Sequence, residues 1–197
     1  MAQADILLNQ VYDNLNLGDN TSEEKYNQIN DIISGLAEIN NEHTIHPKTT
    51  GTISERLCEL ALQARVPTFY KRITGEWNWM ADFSVLGHPF NLLVSVKSFK
   101  AKERLLVSGS GNILSPTVGW GLFDDAGEWT EDRTRLYLFR SFIAIYLPTS
   151  LYDEIPAESK LIHNINGKML LRRIDNFMND LSAAIIANEN VINILAF

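Results

Sequence analysis

Cysteine is almost absent from this sequence, with Cys58 the single thiol in 197 residues. One thiol cannot form an internal disulfide, and it excludes a cysteine-rich zinc site. The apolar runs are short and interrupted, so no segment is predicted to span a bilayer. The first residues also lack the basic stretch and the long apolar block of a signal peptide. We therefore expect a cytoplasmic protein without a membrane partner.

A positive net charge is also missing, since the formal net charge is −7. An acidic total argues against a nucleic-acid partner, but DNA contacts depend on local basic surfaces rather than on the sum. The positively charged residues do gather in three clusters. These are Lys97, Lys100, Lys102 and Arg104; Arg133, Arg135 and Arg140; and Lys168, Arg172 and Arg173.

Hydrophobic periodicity predicts a mixed α/β fold in a single domain, 1–197. Helical spacing at 3–16 and 23–38 predicts an N-terminal helical hairpin within 1–45. A central core over 52–147 begins with a helix at 52–65 and continues with strands at 68–73, within 78–102 and at 136–147. Residues 116–134 show no clear period. The part from 148 to 197 is predicted to be mainly helical, with an amphipathic helix at 168–186.

The segment 78–102 carries the most informative pattern. It reads as two strands joined by a turn at Gly87-His88-Pro89, with Asp82 in the first strand and Lys97 near the end of the second. Both strands are otherwise apolar, where a charge is costly. Adjacent strands would bring the two charges to one edge of the sheet. A carboxylate that can hold Mg²⁺ beside a lysine that can orient water indicates a site for phosphodiester hydrolysis.

The order Asp82, turn, Ser95-Val96-Lys97 resembles the PD-(D/E)xK nuclease core, as found in type II restriction endonucleases. The resemblance covers about a third of the chain and implies a restriction-endonuclease-like fold, with a central mixed β-sheet flanked by helices. It makes 52–147 the catalytic core. It implies that Asp82 and the Val96 carbonyl bind Mg²⁺ and that Lys97 positions the attacking water.

Ser95 stands where the family pattern has its second acid, so the resemblance implies that this acid comes from elsewhere. The segment 50–59 resembles the family's N-terminal helix, whose glutamate points to the metal. Glu55 is therefore predicted to be a catalytic residue and a metal ligand. Glu59 lies on the same polar face of the helix and is the second choice, and Glu103 is the third.

Residues just beyond the second strand are predicted to contact DNA. Lys100, Lys102 and Arg104 suit phosphates, and a polar loop with Ser108, Ser110 and Asn112 suits base edges. The resulting prediction is a Mg²⁺-dependent restriction endonuclease that cuts double-stranded DNA at a short, palindromic site, as a homodimer whose two-fold axis matches that of the DNA.

Three alternatives stay open. The first is a structure-specific nuclease of DNA repair or recombination with the same fold. The second is a catalytically inactive module that binds DNA or protein, for which the missing acid at position 95 is the argument. The third is a small-molecule enzyme, although no cofactor motif appears in the sequence.

Overall fold

A computed structural model describes residues 47–98, 105–107, 115–123 and 125–197. Within these ranges the protein is an α/β structure whose centre is a six-stranded mixed sheet. The prediction of a mixed sheet flanked by helices is thereby confirmed. The predicted N-terminal hairpin lies outside the described residues.

The first half of the sheet is antiparallel. Strands β1 (Tyr70–Arg72), β2 (Phe83–Val85) and β4 (Leu92–Ser98) lie side by side in that order. The predicted turn between β2 and β4 contains a further short strand, β3 (Gly87–His88), which pairs in parallel with β8 (Ile192–Asn193) as a separate two-stranded sheet. The strand pair predicted within 78–102 is therefore confirmed.

The second half of the sheet is parallel. Strands β5 (Thr117–Leu122), β6 (Phe142–Leu147) and β7 (Leu171–Arg173) follow β4 in order, so the carboxyl ends of β4 to β7 lie along one edge. Every residue of β5 and β6 is buried. Strands buried on both faces lose the alternation of polar and apolar residues that usually identifies a strand.

Helices cover both faces of the sheet. Helix α1 (Pro47–Arg65) and helix α5 (Phe177–Ala184) pack on one face, where Leu57, Phe83 and Trp120 belong to the larger apolar core. Helices α2 (Glu131–Leu138), α3 (Thr149–Glu154) and α4 (Ala157–Lys160) accompany a second core on the other face. Short 3-10 turns lie at Gly75–Trp77, Ala126–Glu128, Ile174–Asn176 and Ile194–Ala196.

Two predicted elements are wrong in part. The long strand at 136–147 is a strand only from Phe142, because residues up to Leu138 belong to α2 and Ser141 reverses the chain with a positive φ of 63°. The helix at 168–186 is preceded by β7 and is helical only from Phe177 to Ala184, after a 3-10 turn. The predicted helix at 52–65 is present but begins earlier, at Pro47.

No helix within the described ranges combines the length and the hydropathy that a bilayer crossing requires.

Candidate active site

The first candidate residue, Asp82, is held in place by hydrogen bonds of its own backbone. It directly precedes β2, its N–H donates to the Val94 carbonyl at 3.0 Å, and its carbonyl accepts from Ile73 N–H at 2.9 Å. Because the N–H and the carbonyl of Asp82 are both hydrogen-bonded, the main chain at this residue has little freedom to move. The carboxylate is therefore placed beside β4 by the antiparallel ladder.

The Asp82 carboxylate contacts β4 through one oxygen. Asp82 Oδ2 accepts from Val96 N–H at 2.6 Å and from Lys97 Nζ at 3.2 Å. Lys97 Nζ also donates to the Val96 carbonyl at 2.8 Å. The side chains of Asp82 and Lys97 are 21% and 19% exposed, so the pair is mostly shielded but open to solvent. The structure thus brings together the two charges that the strand pattern predicted to meet.

Ser95 lies directly before Val96 on β4 and carries no carboxylate. It is fully buried, and its hydroxyl has no hydrogen-bond partner among the described residues. It pairs in register with Gly119 on β5. Strand β4 therefore supplies one cation and one carbonyl to the site, and any second acid has to come from another element.

Helix α1 presents two glutamates, and both bind the same arginine. Arg72, the last residue of β1, donates through Nη1 to Glu55 Oε2 at 3.0 Å and through Nη2 to Glu59 Oε2 at 3.0 Å. Its guanidinium lies 5.0 Å from the ring centre of Phe83, the residue next to Asp82 and its partner in the strand register. Arg72 thus ties both glutamates to β1, and β1 pairs with β2, the strand that begins directly after Asp82.

Arg72 is a site residue that sequence reasoning missed. Burial lowers its pKa, but hydrogen bonds to Glu59 and Glu55 outweigh burial and raise the pKa above its usual range. The only signal in the sequence would have been a charged residue in a strand of three residues. That signal could not predict the partners of Arg72, which are 13 and 17 positions away in sequence.

Cys58 lies on the buried side of α1, and the three acids all influence the pKa of its thiol. Burial raises the pKa of its thiol, the negative charge of Asp82 raises it further, and Glu59 and Glu55 add to the effect while Arg72 opposes it. The acids of the helix and the acid of the sheet thus act on the same buried atom. This arrangement suits a thiol that stays protonated and does not act as a nucleophile.

A glycine of β5 makes room for the backbone of β4 at Lys97. Gly121 on β5 pairs in register with Lys97, and a Cβ at this position would fall on the Lys97 carbonyl. Only glycine permits this approach of the two backbones. Gly121 therefore helps to set the position of Lys97, a role that the irregular pattern of 116–134 did not indicate.

The residues present fit a divalent cation in part. Mg²⁺ prefers carboxylate and carbonyl oxygens, and Asp82 Oδ2 and the Val96 carbonyl both lie within contact distance of Lys97 Nζ. The ammonium thus occupies the position between the two oxygens predicted to bind metal. Within the described ranges, no group of three or more His, Cys, Asp or Glu side chains is arranged to hold a metal ion. Glu55 and Glu59 meet Arg72 instead.

The predicted DNA contacts and the third candidate acid lie outside the described residues. They are Lys100, Lys102, Glu103, Arg104, Ser108, Ser110 and Asn112.

Comparison with protein-family models, with curated proteins and with solved structures gives no match. The functional argument therefore depends on the geometry of the chain itself.

Proposed function

We propose that this protein is a Mg²⁺-dependent endonuclease that hydrolyses phosphodiester bonds of double-stranded DNA at a specific short sequence. The proposal places it with type II restriction endonucleases of the PD-(D/E)xK superfamily, acting in the cytoplasm as a homodimer on palindromic DNA. In this proposal residues 1–197 form one nuclease domain with a restriction-endonuclease-like fold.

One observation carries the proposal: the contact between Asp82 and Lys97 at a shielded but solvent-open end of two antiparallel strands. A mostly shielded position is costly for a carboxylate and an ammonium unless they are paired. Asp82 makes both of its hydrogen bonds through Oδ2, which leaves Oδ1 for a further partner.

Each residue has a chemical part in hydrolysis. Asp82 and the Val96 carbonyl are the oxygens that would hold Mg²⁺, with Glu55 or Glu59 as the second acid. When bound, the ion would lower the pKa of a coordinated water and stabilise charge on the phosphate. Lys97 would hold the attacking water by a hydrogen bond and balance negative charge as it develops on the phosphate.

Cleavage of DNA by the full chain tests this proposal. Digestion of a defined long DNA with Mg²⁺ is expected to give discrete fragments, because a sequence-specific enzyme cuts at fixed positions. Cleavage at branches or ends alone would indicate the structure-specific alternative.

Two substitutions test the assignment of the site. Asp82→Ala and Lys97→Ala are each expected to abolish cleavage while DNA binding in a gel-shift assay is largely retained. Asp153→Ala is the matched control, since Asp153 is an exposed carboxylate paired with Arg173 on another part of the sheet, and it should cut as the wild type does. Cleavage that survives either site substitution contradicts the assignment.

The inactive DNA-binding module is the second candidate, and two observations favour it. Ser95 replaces an acid in the predicted motif, and both glutamates of α1 are engaged by Arg72. A plasmid-nicking assay with and without Mg²⁺ separates the two functions. DNA binding without any nicking in Mg²⁺ would establish the inactive module.

A further inference from the structure

Arg72 of β1 holds two acids of helix α1 at once. Its two terminal nitrogens each donate to a different glutamate, Glu55 and Glu59, at 3.0 Å. The side chains are 35% exposed for Arg72, 39% for Glu55 and 15% for Glu59. The fork is thus accessible to solvent on its Glu55 side and shielded on its Glu59 side.

The fork occupies one oxygen, Oε2, of each glutamate. Three carboxylates are matched by three cations. Asp82 pairs with Lys97 and Glu55 with Arg72, while Glu59 pairs with Arg72 and with the more exposed Arg56. A divalent ion bound to Asp82 and a glutamate would compete with Arg72 for that glutamate. The contact between Arg72 and the helix therefore opposes metal binding.

Arg72 is also suited to an alternative partner. A guanidinium presents donors in a planar fork that matches a phosphate as well as a carboxylate. Strand β1 is the terminal strand of the described sheet, so Arg72 lies at the edge of the sheet. It pairs in register with Phe83, the residue that follows Asp82. A DNA backbone at the proposed site would bring phosphates close to this edge.

We propose that Arg72 couples metal binding to DNA binding. Without DNA the guanidinium holds Glu55 and Glu59, and a backbone phosphate that takes the guanidinium releases a glutamate for Mg²⁺. By linkage, bound metal strengthens DNA binding by the same factor. This inference rests on the proposed nuclease function, and it makes Arg72 a positioning residue that acts through the second acid.

The direct test measures metal binding without DNA and without catalysis. Mn²⁺, which is visible by electron paramagnetic resonance, is titrated into the full chain as wild type, Arg72→Met and Arg72→Lys. Arg72→Met is expected to bind Mn²⁺ about tenfold more tightly, within the usual range of coupling between sites. Arg72→Lys keeps the charge but loses the fork, so a smaller increase is expected, and it supplies the test if Arg72→Met does not fold.

Arg56→Met is the matched control. Arg56 also contacts Glu59, at 3.5 Å, but its side chain is 57% exposed and it makes no fork. Its replacement removes the same charge from the same neighbourhood and is expected to leave the Mn²⁺ affinity unchanged. An increase equal to that of Arg72→Met would mean that general charge, and not the fork, sets metal affinity, which overturns the inference.

A second titration adds a short mixed-sequence duplex, in a Lys97→Ala background so that the DNA stays intact. The duplex is expected to raise Mn²⁺ affinity with Arg72 present and to have little effect with Arg72→Met. An equal effect in both proteins overturns the inference.

Asp82→Ala separates the inference from the proposed function. If Asp82→Ala weakens Mn²⁺ binding while Arg72→Met leaves it unchanged, the coupling is wrong and the metal site stands. If Mn²⁺ binding is indifferent to both substitutions, the metal site and the proposed nuclease function are both contradicted.

Discussion

Two ion pairs lie at the same edge of the sheet, and they differ in the groups that surround them. The first pair joins Lys97 to Asp82 at β4, the strand that links the antiparallel half to the parallel half. The second pair joins Arg172 to Asp180 at β7, the last strand of the parallel half. A single row across the strands links them, since Val96 pairs with Trp120, Trp120 with Tyr146 and Tyr146 with Arg172. Their sites on the fold are therefore comparable.

We call the pair in the parallel half closed, because its carboxylate is bonded to two side chains and its cation is mostly buried. Arg172 donates to Asp180 at 2.6 Å and to the Met169 carbonyl at 2.9 Å, and Asp180 also accepts the Tyr146 hydroxyl. Arg172 is only 11% exposed. Burial raises the pKa of Tyr146 well above its usual value, and the charge of Asp180 raises it further. These contacts lock β7 to α5.

The pair in the antiparallel half is open. Asp82 accepts from Val96 N–H and from Lys97, whose ammonium also donates to the Val96 carbonyl. Two further acids, on α1, act together with Asp82 on the Cys58 thiol and raise its pKa. An ion pair alone therefore does not mark a functional site. Both carboxylates use a single oxygen, Oδ2, for their hydrogen bonds. What distinguishes Asp82 from Asp180 is the group of acids around it, since Asp82, Glu59 and Glu55 all raise the pKa of the buried Cys58 thiol.

The largest expected effect comes from exchanging each carboxylate for an amide. Asp82→Asn should lower the cleavage rate by about a thousandfold or more, as expected for loss of a preorganised catalytic charge, with little change in stability. Asp180→Asn should leave the rate of the folded protein nearly unchanged. It should lower the free energy of unfolding by about 2 to 3 kcal/mol, because Arg172 keeps a mostly buried charge without a counter-ion.

Cleavage assays and urea unfolding of both variants measure the two effects. If Asp180→Asn lowers cleavage as strongly as Asp82→Asn, the distinction between an open and a closed pair is wrong.

A smaller effect is expected from filling the space between β4 and β5. Gly121→Ala should lower the free energy of unfolding by about 3 kcal/mol, because the new methyl group meets the Lys97 carbonyl and the strands have to separate. Cleavage should fall with it, since Lys97 moves. Gly119→Ala is the control on the same strand, where the methyl group would meet only the side chains of Leu105 and Ile145 at 3.2 and 3.3 Å.

Flexible side chains can shift, so Gly119→Ala should cost about 1 kcal/mol and leave cleavage intact. Equal losses of stability and activity in the two glycine variants would show that the approach at Lys97 has no special role. Thermal unfolding and the cleavage assay provide both values.

The sequence predicted the antiparallel half better than the parallel half. The strands around Asp82 and Lys97 are bounded by clear turn residues, and their contact follows from pairing neighbours along the chain. Strand β5 was missed because Gly119, Trp120 and Gly121 follow no alternation in a strand buried on both faces.

The error at 136–147 has a local cause. Residues Glu131–Leu138 form α2, with acids in the first turn and Arg135 in the last, both favourable to a helix. The apolar run over 136–147 obscured the boundary between the end of α2 and the start of β6. Leu136 and Phe139 are exposed and do not belong to a buried strand. In the site, the meeting of Arg72 with two glutamates depends on tertiary packing, which no local pattern encodes.

The smallest expected effect is a difference in alkaline stability between the two halves. Cys58 has an ordinary pKa of 9.0 and Tyr146 one of 10.0, and burial raises the pKa of both in the folded protein. A raised pKa keeps the group protonated in the folded state while the unfolded chain ionises. Stability is therefore lost as the pH rises above the unfolded pKa.

Cys58 should account for the first part of this loss, about 0.8 kcal/mol at half a pH unit above 9.0. Cys58→Ala should flatten the decline between pH 9 and 10, whereas Tyr146→Phe should change it only above pH 10. Urea unfolding across this range measures both curves, and the constant cost of each substitution does not affect their slopes. If Cys58→Ala and the wild type decline in parallel, the thiol ionises as freely in the folded protein as in the unfolded chain, and the acids of the open site do not act on it.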